Sequence, residues 1–213
     1  MRRAGKVPAV SRSCKEVAMD GNSFAELVRA SRSYRRFTGE PASREALLGL
    51  IDVARFAPTG NNTQLLRYAV ASDPTTVAEL GHHHGWAAAL PEFPGPAEGE
   101  QPGGYIGIFV PAGGAKSAIR QIDVGIAAQT LCLAACAQGL GACMIKSYDA
   151  QAASVLGVTG DDYALALMIA FGKPAPDEKI VLESMDADHG TKYWRTEGNV
   201  HHVPKRSVED LLL

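Results

Sequence analysis

Lys116–Gln138 reads KSAIRQIDVGIAAQTLCLAACAQ, in which Ile119, Ile122, Ile126, Leu131 and Leu133 recur at helical spacing and alanines fill nearly every other face. A helix that is apolar or small all round must be covered on all sides, and its alanines let a neighbouring helix approach closely. One domain of 213 residues rarely covers such a helix completely. The stretch therefore predicts a central helix with a second copy of the chain against part of it, and Ala127 marks the contact face.

Working outward, Gly139-Leu140-Gly141 ends this helix and Ala142–Ser147 reads as a strand. Asp149–Leu156 is helical, and Tyr163–Phe171 is so uniformly apolar that it reads as a central, buried strand. Upstream, Tyr105–Val110 and Arg67–Ala71 are strands, and a helix starts near Asp73-Pro74. Ser43 caps a helix that runs to Ala57, with Ala46, Leu47, Leu50, Ile51 and Ala54 at helical spacing. A shorter helix covers Ser23–Ala30, with Asn22 or Ser23 as its cap. Residues 1–20 read as a flexible N-terminal arm or an alternative start, and 21–213 as one domain. Residues 81–104, with three consecutive histidines and many prolines and glycines, read as a variable lid. The last thirty residues look extended until a final short turn.

The net charge of −2 argues against nucleic acid as a partner. No apolar run is long enough to span a bilayer, and the N-terminus has no signal-peptide core. Cys14, Cys132, Cys136 and Cys143 form no CxxC pair, which points to the cytoplasm and to buried thiols acting as small hydrophobes. No metal site is expected: His82-His83-His84 is one run without a second ligand set, and reads as a solvated cluster. Likewise, His201-His202 reads as a surface pair beside Lys205-Arg206.

Neither a dinucleotide fingerprint nor a P-loop is present, and Gly139-Leu140-Gly141 follows a helix rather than a strand. Nucleophile motifs are missing too. What remains is basic: Ser31–Phe37 reads SRSYRRF, three guanidinium groups within seven residues, and Pro204-Lys205-Arg206 adds two cations from the far end of the chain. Arginine forks and serine hydroxyls suit a phosphate. The turn Pro58-Thr59-Gly60-Asn61-Asn62 adds backbone donors, amides and a flat proline. Together they suit a phosphorylated planar molecule better than free phosphate.

In order and spacing, SRSYRRF, RFAPTGNNTQ, DVGIAAQTLCLAACAQGLGACMI, ALMIAFGKP and HHVPKRSVEDLL resemble the FMN-dependent nitroreductase family over about Phe24 to Leu213. The resemblance implies an α+β sandwich, a mostly antiparallel sheet flanked by helices, in an intertwined homodimer with FMN at the subunit interface. By its implication Arg32, Ser33, Lys205 and Arg206 hold the FMN phosphate and Arg35 faces the N1–C2=O2 edge of the flavin. Pro58, Thr59, Gly60 and Asn62 would reach over the flavin from the other subunit, with Gln64 nearby. Met144, Ile145, Lys146 and Ser147 would lie by flavin N5. It also implies NAD(P)H as electron donor and a small electron-poor acceptor, such as a nitroaromatic or quinone, in ping-pong order. No side chain need act as a catalytic nucleophile. Relatives with other flavin chemistry (enone or enamide reduction, dehalogenation, dehydrogenation) and a non-catalytic FMN-binding or storage protein are the alternatives. Trp86 and Phe93 are the candidates for substrate stacking.

The chain departs from the family pattern at three places. Ser31 replaces a frequent arginine, Gln64-Leu65-Leu66 replaces Gln-Pro-Trp, and Lys146 stands where glycine or glutamate is common. Lys146 would either place a positive charge near N5 or extend to solvent.

Overall fold

The computed structural model describes residues 20–213, so the expected N-terminal arm lies outside the described residues except for Asp20. Among the described residues there are five α-helices: α1 (Gly21–Ala30), α2 (Arg44–Ala54), α3 (Pro74–Gly81), α4 (Ala118–Ala137) and the single turn α5 (Ala152–Val155). Asp20 caps α1, rather than Asn22 or Ser23, by accepting from the Asn22 N–H. Ser43 caps α2 as expected, accepting from the Ala46 N–H.

Four strands, β1 (Arg67–Ala71), β2 (Gly104–Pro111), β3 (Gly141–Ile145) and β4 (Tyr163–Gly172), form a sheet in the order β1-β2-β4-β3 with every pair antiparallel. Thus β4 is central, as its apolar run predicts, and the fold is α+β. Side-chain alternation divides β2 between two cores. Ile106, Ile108 and Val110 pack with α2 and α4, while Tyr105 and Phe109 face α3 and α5.

One face of α4 (Val124, Ala127, Ala128, Leu131, Ala135) is buried in the first of these cores. Ala127 is therefore a core residue and not the mark of a contact face. Ile119 and Ile122 lie uncovered on the other side, the latter 56% exposed.

The extended tail is more ordered than expected. Its strands β5 (Lys179–Ser184), β6 (Trp194–Thr196) and β7 (Val200–Lys205) form a second sheet, ordered β5-β7-β6, in which β5 and β7 are parallel. SRSYRRF joins the two sheets as an extended segment. Its Tyr34 N–H donates to Ala142 O (3.0 Å), the N–H of Thr38 just beyond it donates to Lys173 O (2.9 Å), and Ser33 bridges Ala142 in parallel. Gly141 permits this: a Cβ there would stand 2.8 Å from Tyr34 Cγ. No helix among the described residues is long and apolar enough to cross a membrane.

Candidate functional site

Arg32 leaves the end of α1 and meets the C-terminal segment across a cavity of about 750 Å³. Val28, Arg32, Ser184, Lys205, Arg206 and Asp210 are among its lining residues. The two basic pieces that the sequence separates by most of its length thus share one cavity. Arg32 Nη2 donates to Val28 O (2.7 Å), while its buried Nε has no partner among the described residues. The two carboxylates on the wall are already engaged. Glu183 accepts from His202 (2.7 Å), and Asp210 accepts from the Ser207 N–H (3.2 Å). Neither meets Lys205 or Arg206 in an ion pair among the described residues. A concave wall with four cations, of which only Arg29 is paired (with Glu26), and an idle buried donor fits an anion with several oxygens, such as a phosphate.

Arg35 lies on the same segment but does not line that cavity. Its Nη1 is 3.2 Å from His201 Nε2, and its guanidinium stands 5.2 Å from the centroid of the Tyr193 ring. His201 is buried, contrary to the expected surface role. Burial and then the Arg35 charge push its pKa down to about 4. A neutral imidazole accepts at Nε2 and keeps its proton on Nδ1. That Nδ1 and Arg35 Nε are both buried without partners, so further donors remain idle beside the first. Ser33 sits between the two arginines, exposed, with its carbonyl accepting from Arg35 (3.3 Å).

The third guanidinium goes elsewhere. In an extended segment neighbouring side chains point to opposite sides, so Arg36 turns away from Arg35. It is buried against Glu100 (Nε–Oε2, 2.8 Å), Asp177 (3.1 Å) and Glu178 (3.4 Å), and Arg195 also pairs with Glu178. Glu100 and Asp177 are held below the usual carboxylate range chiefly by hydrogen bonds from Arg36. Arg36 thus ties the first sheet's edge to the 100 loop and the tail.

Pro58, Thr59 and Gln64 border a separate cavity of about 140 Å³ beside Asp123 and Ala127. Gly60 and Asn62 belong to a 3₁₀ turn, Gly60–Asn62, that α4 holds in place. Asp123, buried in an otherwise apolar helix, accepts from the Gly60 N–H (2.8 Å) and from Arg120 (2.7 Å), which also reaches Thr63 Oγ1 (2.7 Å). Asn61, Asn62 and Gln64 all have positive φ, 52°, 52° and 49°. Asparagine adopts that region fairly readily and glutamine does not, so the turn stores strain of the kind found at ligand clamps. Within one chain this turn and the cationic cavity are distinct places.

On β3, Met144 is exposed and Ile145 buried, by alternation. Lys146 and Ser147 lie just beyond the strand, which is shorter than predicted. Lys146 is exposed, but its ammonium does not run free into solvent. Its Nζ donates to Ala166 O (2.7 Å) and Tyr148 Oη (3.2 Å), folding back onto the sheet. Within the 81–104 segment, His83 binds Asp149 (2.9 Å) and Glu79 (3.0 Å), which raise its pKa. His84 instead turns inward to Tyr105. Trp86 meets His84 edge-on and lines a third cavity. Phe93 does not line it; the Arg195 guanidinium stands 5.0 Å from its ring centroid. Sequence reading missed Tyr193, Asp123 and Arg120, and placed His201 at the surface. Only Asp123 carried a signal, as a lone acid in an apolar helix.

Comparison with known proteins places the chain. The model of the Nitroreductase family matches residues 28–96 and 107–173. Among solved structures, one from Desulfovibrio desulfuricans, assigned as a nitroreductase and crystallised in complex with FMN, is 24% identical with a TM-score of 0.63. The match covers 91% of this chain and 97% of that one. One from Staphylococcus epidermidis, assigned as an NAD(P)H:FMN oxidoreductase, is 21% identical (TM-score 0.59; 75% of this chain, 91% of that one). A nitroreductase family protein from Streptococcus pneumoniae is 19% identical (TM-score 0.58; 71% and 90%). At these identities the likeness is one of fold. A search of curated proteins finds no match.

Proposed function

This chain belongs to the nitroreductase family, and from that membership we propose that it is an FMN-dependent NAD(P)H oxidoreductase acting as an intertwined homodimer. The observation that carries the reading is the convergence of Arg32, Lys205 and Arg206 on one cavity, with the idle donors of Arg32, Arg35 and His201 close behind. Arg32, Ser33, Lys205 and Arg206 would hold the FMN phosphate. Arg35 presents a fixed positive charge for the N1–C2=O2 edge, where it would stabilise negative charge that develops there. The backbone from Met144 to Ser147 offers N–H groups for the N5 side. Bound FMN supplies the redox chemistry, a hydride taken from NAD(P)H and passed in ping-pong order to an electron-poor acceptor such as a nitroaromatic or quinone.

The homodimer is supported by the uncovered Ile119 and Ile122 on α4. It also explains why the 58–64 turn lies apart from the cationic cavity: Pro58, Thr59, Gly60, Asn62 and Gln64 serve the site of the other subunit. Lys146, held to Ala166 O, keeps its charge against the sheet near the N5 side.

The test is direct. The purified protein is examined for bound flavin by absorbance and by release and quantification, then assayed with NADH and NADPH against a panel of nitroaromatics and quinones. One FMN per chain and turnover with a nicotinamide donor are expected. A colourless protein that takes up no FMN in excess overturns the reading. Bound FMN that no nicotinamide reduces leaves the cofactor and removes the donor.

A further inference from the structure

A cavity of about 470 Å³ lies on the α3 side of the main sheet, within the size range of small-molecule sites. It shares no lining residue with the cationic cavity or with the one beside the 58–64 turn. Five of its lining residues are prolines (Pro41, Pro74, Pro94, Pro96 and Pro102), and Trp86 adds an indole face. The indole is fixed in place: Gly95, at φ 122°, passes so close that a Cβ there would stand 2.9 Å from Trp86 Cδ1. None of the lining residues is Asp, Glu, Lys or Arg. An ion entering here would leave water for a wall that offers it no carboxylate, lysine or arginine, which is unfavourable.

The wall does hold one buried polar pair. Tyr105 Oη lies 3.0 Å from His84 Nε2. His84 Nδ1 faces Gly85 O at 3.4 Å, which assigns the ring proton to Nδ1 and leaves Nε2 to accept from the Tyr105 hydroxyl. The Tyr105 oxygen then keeps an acceptor lone pair with no donor among the described residues. Burial lowers the pKa of His84 and raises that of Tyr105, so both stay neutral at pH 7. The wall thus combines flat apolar faces with one buried acceptor and no carboxylate, ammonium or guanidinium group.

We propose that this cavity is a separate binding site for a small neutral aromatic molecule carrying a hydroxyl, of the phenol or naphthol class. The ligand's O–H donates to the Tyr105 oxygen, and its ring lies against Trp86 and the prolines. The site is coupled to the end of β3. The Gly85 N–H donates to Ser147 O (2.8 Å), Ser147 Oγ donates to Gly85 O (3.0 Å), and His84 bridges Tyr148. Filling the cavity therefore braces the 146–148 segment. The proposal does not depend on the cofactor reading.

The test titrates 2-naphthol into the full ¹⁵N-labelled protein and follows the indole N–H signals. There are only two tryptophans, and a Trp194→Phe variant assigns the Trp86 signal. A saturable shift of the Trp86 signal is expected. Binding should weaken about tenfold or more for 2-naphthoate, whose charge finds no lysine or arginine on the wall. It should weaken roughly three- to tenfold for 2-methoxynaphthalene, which cannot donate. Ala78, exposed on α3 at the cavity wall, gives an Ala78→Trp variant that should abolish binding by filling the space. Tyr105→Phe, which keeps the shape, should erase the preference for 2-naphthol over its methyl ether. A Trp86 signal unmoved by 2-naphthol, equal binding of 2-naphthoate, or a preference that survives Tyr105→Phe each overturns the proposal.

Discussion

The guanidinium of Arg35 donates through Nη1 to Nε2 of His201, 3.2 Å away and 166 positions later in the chain. The bond needs an unprotonated Nε2, and a proton there would face the arginine charge at close range. His201 is therefore both a prop for Arg35 and a group that resists protonation while the fold persists.

Its pH dependence follows. The folded pKa, about 4, lies below the ~6.5 of a free imidazole. Between these values the unfolded chain binds a proton that the folded chain does not. The contribution of His201 to stability is thus whole above pH ~6.5, declines by at most about 1.4 kcal/mol per pH unit as pH falls, and levels off near the folded pKa. Urea denaturation at pH 7 and pH 5 should show this decline in the natural protein and a smaller one in His201→Gln. Equal declines in both would show that His201 does not titrate in this way.

Arg36→Met should destabilise by roughly 3–5 kcal/mol, because it strips buried partners from Glu100 and Glu178. The Glu178 side chain is only 1% exposed. Arg29→Met, on an exposed pair with Glu26, should cost under about 1 kcal/mol. Thermal or urea unfolding of the two variants measures the contrast, and similar losses would remove the clamp assigned to Arg36.

Asp123→Ala should loosen the 58–64 turn by roughly 1–3 kcal/mol, since the Gly60 N–H and Arg120 lose their acceptor. Asp123→Asn keeps one acceptor oxygen and should cost less. Limited proteolysis at Asn61–Asn62 reports the turn directly. A turn that stays equally protected in the alanine variant would mean that Asp123 does not hold it.

Arg32→Ala should leave a folded protein whose FMN affinity falls about 10- to 100-fold, the loss of one charge-assisted bond of roughly 1.5–3 kcal/mol. Flavin retention on dilution or dialysis reads this out. Unchanged retention would take Arg32 out of the phosphate site.

Ile122→Glu should dissociate the proposed homodimer, because it places a carboxylate on the uncovered face of α4. Ala127→Leu should instead lower stability by roughly 1–3 kcal/mol through overpacking of the core against α2. Sedimentation or light scattering separates the two effects. A dimer that tolerates Ile122→Glu would move the interface off this face.

Much of the fold is legible locally. Central β4 follows from the apolar run Tyr163–Phe171, and Ser43 marks the start of α2. The second sheet is not, because parallel pairing of β5 with β7 is fixed by what lies between and around them rather than by either strand's own residues. The site divides in the same way. Arg32, Lys205 and Arg206 stand out as cations, whereas Arg35 and Arg36 are chemically identical and are separated only by the alternation of an extended segment. His201 and Tyr193 gain their importance from a partner far away in sequence, which no local pattern records.

The cationic cavity has three shores, one at the end of the first helix, one at Leu182–Met185 and one at Lys205–Asp210. During synthesis Arg32 precedes Lys205 and Arg206 by more than 170 positions and cannot face them until they follow. The pocket therefore comes into being only after Lys205 and Arg206 are made, in a single event that joins two distant parts of the chain. Proteolytic loss of those residues would reverse that event while leaving the four-stranded sheet whole.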